Sequence, residues 1–244
     1  MCDIHAPIRA GTDIVFLGAL INYIINSERW NSDPFFKEYV VHYSNAATLI
    51  TEDYQDPEDL DGLFSGFNAE GRRYNIESWT YQREEPPATQ PAGLEQNYDE
   101  AVAALLPGVP KTEPTLQDPQ TVFQIMKRHY ARYTPEMVEN VCGCPKERFL
   151  QVAETLLENS GRERTSAIVY AVGWTQHTVG VQFIRTAGMV QTLLGNAGRP
   201  GGGILALRGH ASIQGSTDIP TLYHSWSGYL GAADARKQHD TLRD

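Results

Sequence analysis

One arginine stands out in residues 201–218, "GGGILALRGHASIQGSTD". Arg208 lies between Leu207 and Gly209, and His210, Ser212, Gln214, Ser216 and Thr217 follow closely. Few other charges are near it, and glycines bracket the segment. A guanidinium stays charged at any working pH, so it makes a fixed cation. The stretch reads either as a glycine-bracketed surface loop or as a polar pocket built around one fixed cation. A second polar cluster is "GWTQHT", residues 173–178. Gly173 would let a ligand approach the backbone. Thr175, Gln176 and His177 would sit beside a helix N-terminus, which favours an anion such as phosphate; an ordinary strand-to-helix turn explains the same residues. A third is "GTD", residues 11–13, where Asp13 is either a helix cap or an acceptor for the N1–H and N2–H donors of a guanine edge. Cys142 and Cys144 in "CGCP", with Cys2, complete no cysteine or histidine set for a metal and read as helix-boundary residues, so no metal ligand is assigned.

The elements that must position these groups belong to a globular chain. Of its 244 residues, 41% are hydrophobic and 20% charged, enough for one large domain or two small ones. A formal net charge of −10 speaks against a nucleic-acid partner. Three cysteines make no disulfide framework. The start, "MCDIHAPIRAGTD", lacks the basic and apolar regions of a signal peptide. The most apolar window, residues 14–25, is too short to span a bilayer and reads as a buried helix, so no direct membrane insertion is expected. Residues 51–61 hold six carboxylates and no base, and read as a solvated loop rather than a calcium loop.

Helix starts recur as a cap followed by proline: Asp33–Pro34, Asp118–Pro119 and Thr134–Pro135, the last stopping at Gly143. Val122, Phe123, Met126, His129 and Tyr130 form one stripe, with His129 at its edge; Phe149, Val152, Ala153, Leu156 and Leu157 form another. Residues 83–117 read as a surface insertion or linker. "SAIVYAVGW", residues 166–174, fits a strand buried on both faces, followed by a polar turn and a helix ending near Gly195. This order is the unit of an open α/β sheet, in which ligands lie beyond the carboxyl ends of strands. "GNAGRPGGG", residues 195–203, contains G-x-x-G-x-x-G but follows a helix instead of a strand, so it is no dinucleotide fingerprint.

Five segments together resemble the large subunit of respiratory formate dehydrogenases, in the dimethyl-sulfoxide-reductase superfamily of molybdenum or tungsten enzymes. They are "IRAGTDIVFLGALINYI", "DGLFSGFNAEGRRYNIESWTY", "VFQIMKRHYARYTPEMVENVCG", "YAVGWTQHTVGVQFIRT" and "LLGNAGRPGGGILALRGHASIQGSTD". The resemblance implies an α/β fold: a three-layer αβα, Rossmann-like, mostly parallel sheet within a larger protein. Residues 1–207 would belong to one such domain and 208–244 to an active-site segment and the start of the next. It implies oxidation of formate to CO2, with Arg208, His210 and Thr217 in the substrate pocket. Gly11, Thr12, Asp13, Gly173, Trp174, Thr175, Gln176, Gly209 and Gln214 would hold two molybdopterin guanine dinucleotides carrying molybdenum or tungsten. It further implies a [4Fe-4S] cluster, an iron–sulfur partner subunit, a membrane cytochrome subunit, and a periplasmic protein exported by a twin-arginine signal. The cluster cysteines, the metal-ligating residue and that signal have no counterpart here, so the sequence is expected to be an internal piece, inert alone. A superfamily relative acting on another substrate, such as nitrate, is the competing expectation.

Overall fold

The computed structural model describes residues 2–84 and 108–209, with Gly215, Ser225–Trp226 and Leu230–Gly231. At the centre of the core lies α1 (Asp13–Asn26), with Leu17, Ala19, Leu20, Ile21, Ile24 and Ile25 all buried. Apolar residues on nearly every face require cover on nearly every side, as the sequence predicts. A short α2 (Glu28–Ser32) carries Trp30 into the core between the rings of Phe36 and Phe123, at centroid distances of 6.5 and 5.4 Å. Next, α3 (Pro34–Tyr43) starts on Asp33, whose carboxylate accepts from the Phe35 amide at 3.0 Å.

A two-stranded hairpin follows, β1 (Phe67–Asn68) with β2 (Arg73–Tyr74). The acidic loop before it is not merely solvated. Asp56 pairs with Arg128 at 2.6 Å, and Glu58 meets both Arg132 and His129. Burial holds the His129 imidazole below its usual range, against the pull of the Asp56 charge. The described ends of the 83–117 segment are stitched to the body. Lys111 N donates to Gln82 O at 2.8 Å, Glu84 N to Val109 O at 3.0 Å, and Glu113 N to Ala47 O at 2.7 Å.

Here α4 (Val122–Tyr130) begins three residues later than Asp118–Pro119 suggests. Thr121 is its cap, accepting from the Gln124 amide at 3.2 Å, while the Asp118 carboxylate is engaged by the Gln120 amide at 2.8 Å in a turn of its own. Thr134 caps α5 (Pro135–Met137) as expected; that helix widens into a π turn over Val138–Cys142 and stops at Gly143, whose φ of 71° favours glycine. Then α6 (Lys146–Glu158) buries Phe149, Ala153 and Leu157 on one face.

The segment that organises the site is a βαβ unit. Strand β3 (Ala167–Tyr170) runs parallel to β4 (Gly203–Ala206), in register from Ala167↔Gly203 to Tyr170↔Ala206. Between them the chain passes through α7 (Val172–Thr175) and α8 (Gly180–Leu193). Ile168 and Ile204 point to the core. Two readings of the sequence change here. The strand ends at Tyr170 and does not continue to Trp174, and it is not buried on both faces: Val169 is 54% and its partner Leu205 51% exposed. The glycine-rich loop follows α8 and leads into β4, in keeping with the rejection of a dinucleotide fingerprint. A last pair, β5 (Ser225–Trp226) with β6 (Leu230–Gly231), is antiparallel. Among the described residues no helix is long and apolar enough to cross a membrane.

Candidate cofactor and substrate site

Parallel pairing decides which segments meet. Because β3 and β4 run the same way and in register, what leaves Tyr170 and what leaves Ala206 emerge at one end of the sheet. Leu207 N donates to Tyr170 O at 2.8 Å, which extends the pairing by one step. Arg208 is the next residue, and its side chain is exposed at that end. Gly209 has open space where a side chain would be. His210, Gln214 and Thr217 lie outside the described residues.

The other strand end delivers Trp174. Its ring stacks on Tyr170, with centroids 5.3 Å apart and planes 23° from parallel, and its Nε1 donates to Asp13 Oδ1 at 3.0 Å. Asp13 is the first residue of α1, where a carboxylate faces unpaired backbone N–H groups and the positive end of the helix dipole. Thus residues 11–13, 171–176 and 207–209 gather at one edge. Gly11, at a φ of 85°, makes the sharp entry to α1. A Cβ at Gly11 or at Gly173 would meet nothing within 4 Å, so both present bare backbone.

Not every proposed contact residue faces that edge freely. The Thr12 hydroxyl donates to Arg9 O at 2.7 Å and caps nothing. The Thr175 hydroxyl turns back to Val172 O at 3.5 Å. Gln176 is exposed, and His177 is turned toward the Phe183 ring, 5.3 Å away. Cys142 and Cys144 are buried at the boundary between the π turn and α6. Burial pushes both thiols up, which keeps them protonated and poor as nucleophiles or ligands. Among the described residues no group of three or more His, Cys, Asp or Glu could hold a metal ion. Two clefts, of about 410 and 480 Å³, are lined by other residues, the first by Phe35, Tyr39, Arg162 and Arg199, the second by Val40, Phe123, Met126 and Met189. The candidate site is an open shelf.

No family model matches the sequence. Individual proteins do. Over 240 residues, 98% of the chain, it is 44% identical to the formate dehydrogenase-O major subunit of Escherichia coli, and over 230 residues 46% identical to that organism's nitrate-inducible formate dehydrogenase major subunit. Over 243 residues it is 41% identical to the formate dehydrogenase 2 subunit alpha (cytochrome c-553) of Nitratidesulfovibrio vulgaris. The chain is a homologue of formate dehydrogenase major subunits. It spans about a fifth of their length, 21%, 20% and 21% of these three. The relatives are by name oxidoreductases, and the match runs through all three segments that converge on the shelf. Seen within a formate dehydrogenase homologue, two residues that sequence reasoning passed over gain importance. Tyr170 supports the Trp174 ring, and Arg9 anchors the turn before Asp13. Neither stands out in sequence: Arg9 binds backbone carbonyls at Asn140 and Val141, far along the chain, and Tyr170 meets the Trp174 ring only because the strand ends between them.

Proposed function

We propose that this chain forms part of the catalytic subunit of a formate dehydrogenase, holding the guanine end of a pterin cofactor on Asp13 and orienting formate with Arg208. The observation that carries the reading is the parallel register of β3 and β4, which brings Arg208 out at the same end of the sheet as Tyr170, on whose ring Trp174, the donor to Asp13, is stacked. The donor set suits a molybdopterin guanine dinucleotide. A guanine edge offers two N–H donors to a carboxylate, and the bare backbone at Gly11 and Gly173 leaves room for a nucleotide. Bound there, the cofactor would supply a molybdenum or tungsten centre that takes two electrons and passes them to a [4Fe-4S] cluster and an iron–sulfur partner subunit. The chain's own part is binding and orientation. Asp13 accepts from the guanine while Trp174 fixes its carboxylate. Arg208 grips both formate oxygens, so that the C–H bond points away from the guanidinium, and formate leaves as CO2 with two electrons and one proton released.

The fold reading accompanies it. Parallel sheets are covered on both faces, and the bare Val169–Leu205 face supports a three-layer αβα arrangement completed by the rest of the subunit. The divisions at 1–207 and 208–244, and the periplasmic location, follow from the family resemblance. In the complete subunit, Arg208→Ala should abolish formate oxidation while metal and pterin content stay near normal. Activity close to wild type in that variant would overturn the assignment of Arg208, and turnover of nitrate instead of formate by the wild-type subunit would overturn the substrate.

A further inference from the structure

We propose that Arg9 is the positioning residue for Asp13, holding the turn before α1 by clamping the exposed carbonyls at the end of the π turn. One residue receives the whole helix end. Arg9 Nη1 donates to Asn140 O at 3.0 Å and to Val141 O at 2.8 Å, and its backbone amide donates to Cys142 O at 2.8 Å. These are carbonyls that a helix terminus leaves without intrahelical partners, at the negative end of the dipole, where a guanidinium is favoured. The same residue faces the other way through its own carbonyl, which accepts from Thr12 N at 3.2 Å and from the Thr12 hydroxyl at 2.7 Å. The Cys142 thiol also donates to Thr12 O at 3.5 Å. The turn Gly11–Thr12 is thus bound on both sides, and Asp13 follows directly. The glycine opposite leaves room for this approach: a Cβ at Gly143 would lie 3.1 Å from the Arg9 guanidinium carbon. Both bonds leave one nitrogen, Nη1, which carries two hydrogens; a methionine keeps much of the length of the side chain and has no donor for either carbonyl.

The proposal rests on the reading of Asp13 as a guanine acceptor, and its test separates the two. In the isotope-labelled chain, the indole N–H signal of Trp174 reports the Asp13 bond, and that of Trp30, whose Nε1 donates to Leu193 O at 2.8 Å, reports the core. In Arg9→Ala the Trp174 signal should move toward the position it takes in Asp13→Ala, with the Trp30 signal unmoved. A Trp174 signal at its wild-type position would overturn the proposal. Should Arg9→Ala lose the Trp30 signal as well, Arg9→Met decides: a displaced Trp174 signal with the Trp30 signal in place supports the clamp, and the wild-type Trp174 position overturns it. A titration with guanosine diphosphate is read separately. Failure of the wild-type chain to bind it, with the Trp174 signal still moving in Arg9→Ala, would leave the clamp standing and overturn the guanine reading of Asp13.

Discussion

The indole of Trp174 donates to a carboxylate 161 positions earlier, Asp13 Oδ1, at 3.0 Å, while its ring lies on Tyr170 at the end of β3. The bond ties the N-terminus of the central helix to the crossover of the βαβ unit. Trp174→Phe keeps a ring on Tyr170 and removes the donor. Its expected effect is a loss of about 1 kcal/mol, roughly fivefold, in affinity for guanosine diphosphate, the cost of one hydrogen bond. Global stability should change by less than about 1 kcal/mol, because the indole is partly exposed. Calorimetric titration and urea unfolding of the same sample check both halves; an unchanged affinity contradicts the role given to this bond.

Val169 and Leu205 are register partners and both stand bare on the outer face of the parallel pair. In this chain alone, Val169→Thr and Leu205→Thr replace exposed apolar groups and should each change stability by no more than about 0.5 kcal/mol. In the complete subunit the same changes should cost about 1–3 kcal/mol each, because a hydroxyl is then buried where a methyl packed. Denaturant midpoints of the two proteins, compared variant by variant, measure the difference. Equal effects in both would mean that nothing covers this face.

Helix starts were legible in the sequence because caps are local. Asp33 and Thr134 bond amides two and three residues ahead, and Gly143 stops its helix by its own backbone conformation. Where two short polar residues compete, the local signal splits: Asp118 makes a turn and Thr121 makes the cap. Burial of a strand is not local. The apolar run at 166–170 is the same whether or not a layer covers Val169, so the sequence could not distinguish the cases. The acidic loop at 51–61 contains no base of its own; its partners Arg128 and Arg132 come from α4 and just beyond it, some seventy residues on. Within the candidate site, the roles proposed for Arg208 and the glycines were suggested by the family resemblance. The bond from Trp174 to Asp13 and the clamp of Arg9 were not, since no periodicity or spacing links residues so far apart.

Trp30 offers a test of the core. It is fully buried, is flanked by Phe36 and Phe123, and gives its N–H to Leu193 O at 2.8 Å, the end of α8. Trp30→Ala should cost about 3–5 kcal/mol through lost burial and the cavity left behind. Trp30→Phe keeps most of the apolar volume but leaves a buried carbonyl unpaired, and should cost about 1–3 kcal/mol. Urea unfolding of both variants sets the order. A phenylalanine variant as unstable as the alanine one would show that the hydrogen bond, not the packing, dominates.

Glu113 supplies the pH prediction. Its carboxylate gathers the turn leading to α4: Oε1 accepts from Thr115 N at 2.6 Å, and Oε2 from Gln117 N at 2.7 Å and Asp118 N at 3.1 Å. Hydrogen bonds from the Thr115 side chain and from these backbone amides lower its pKa from 4.5 to about 2. The folded value lies below the unfolded one, so the native state binds this proton less readily than the unfolded chain. The stabilisation is therefore complete above about pH 4.5 and is lost as the pH falls toward about 2. Glu113→Gln keeps the size of the side chain but loses the charge and one of the two acceptor oxygens. It should be about 1–2 kcal/mol less stable than wild type at neutral pH. That gap should narrow steadily once the pH drops below about 4.5, because wild type then approaches the neutral state that the variant already has. Urea midpoints of both proteins, measured at neutral pH and at about pH 3, read the gap directly; a gap that stays constant or widens toward acid would assign the turn's stability to something other than this carboxylate.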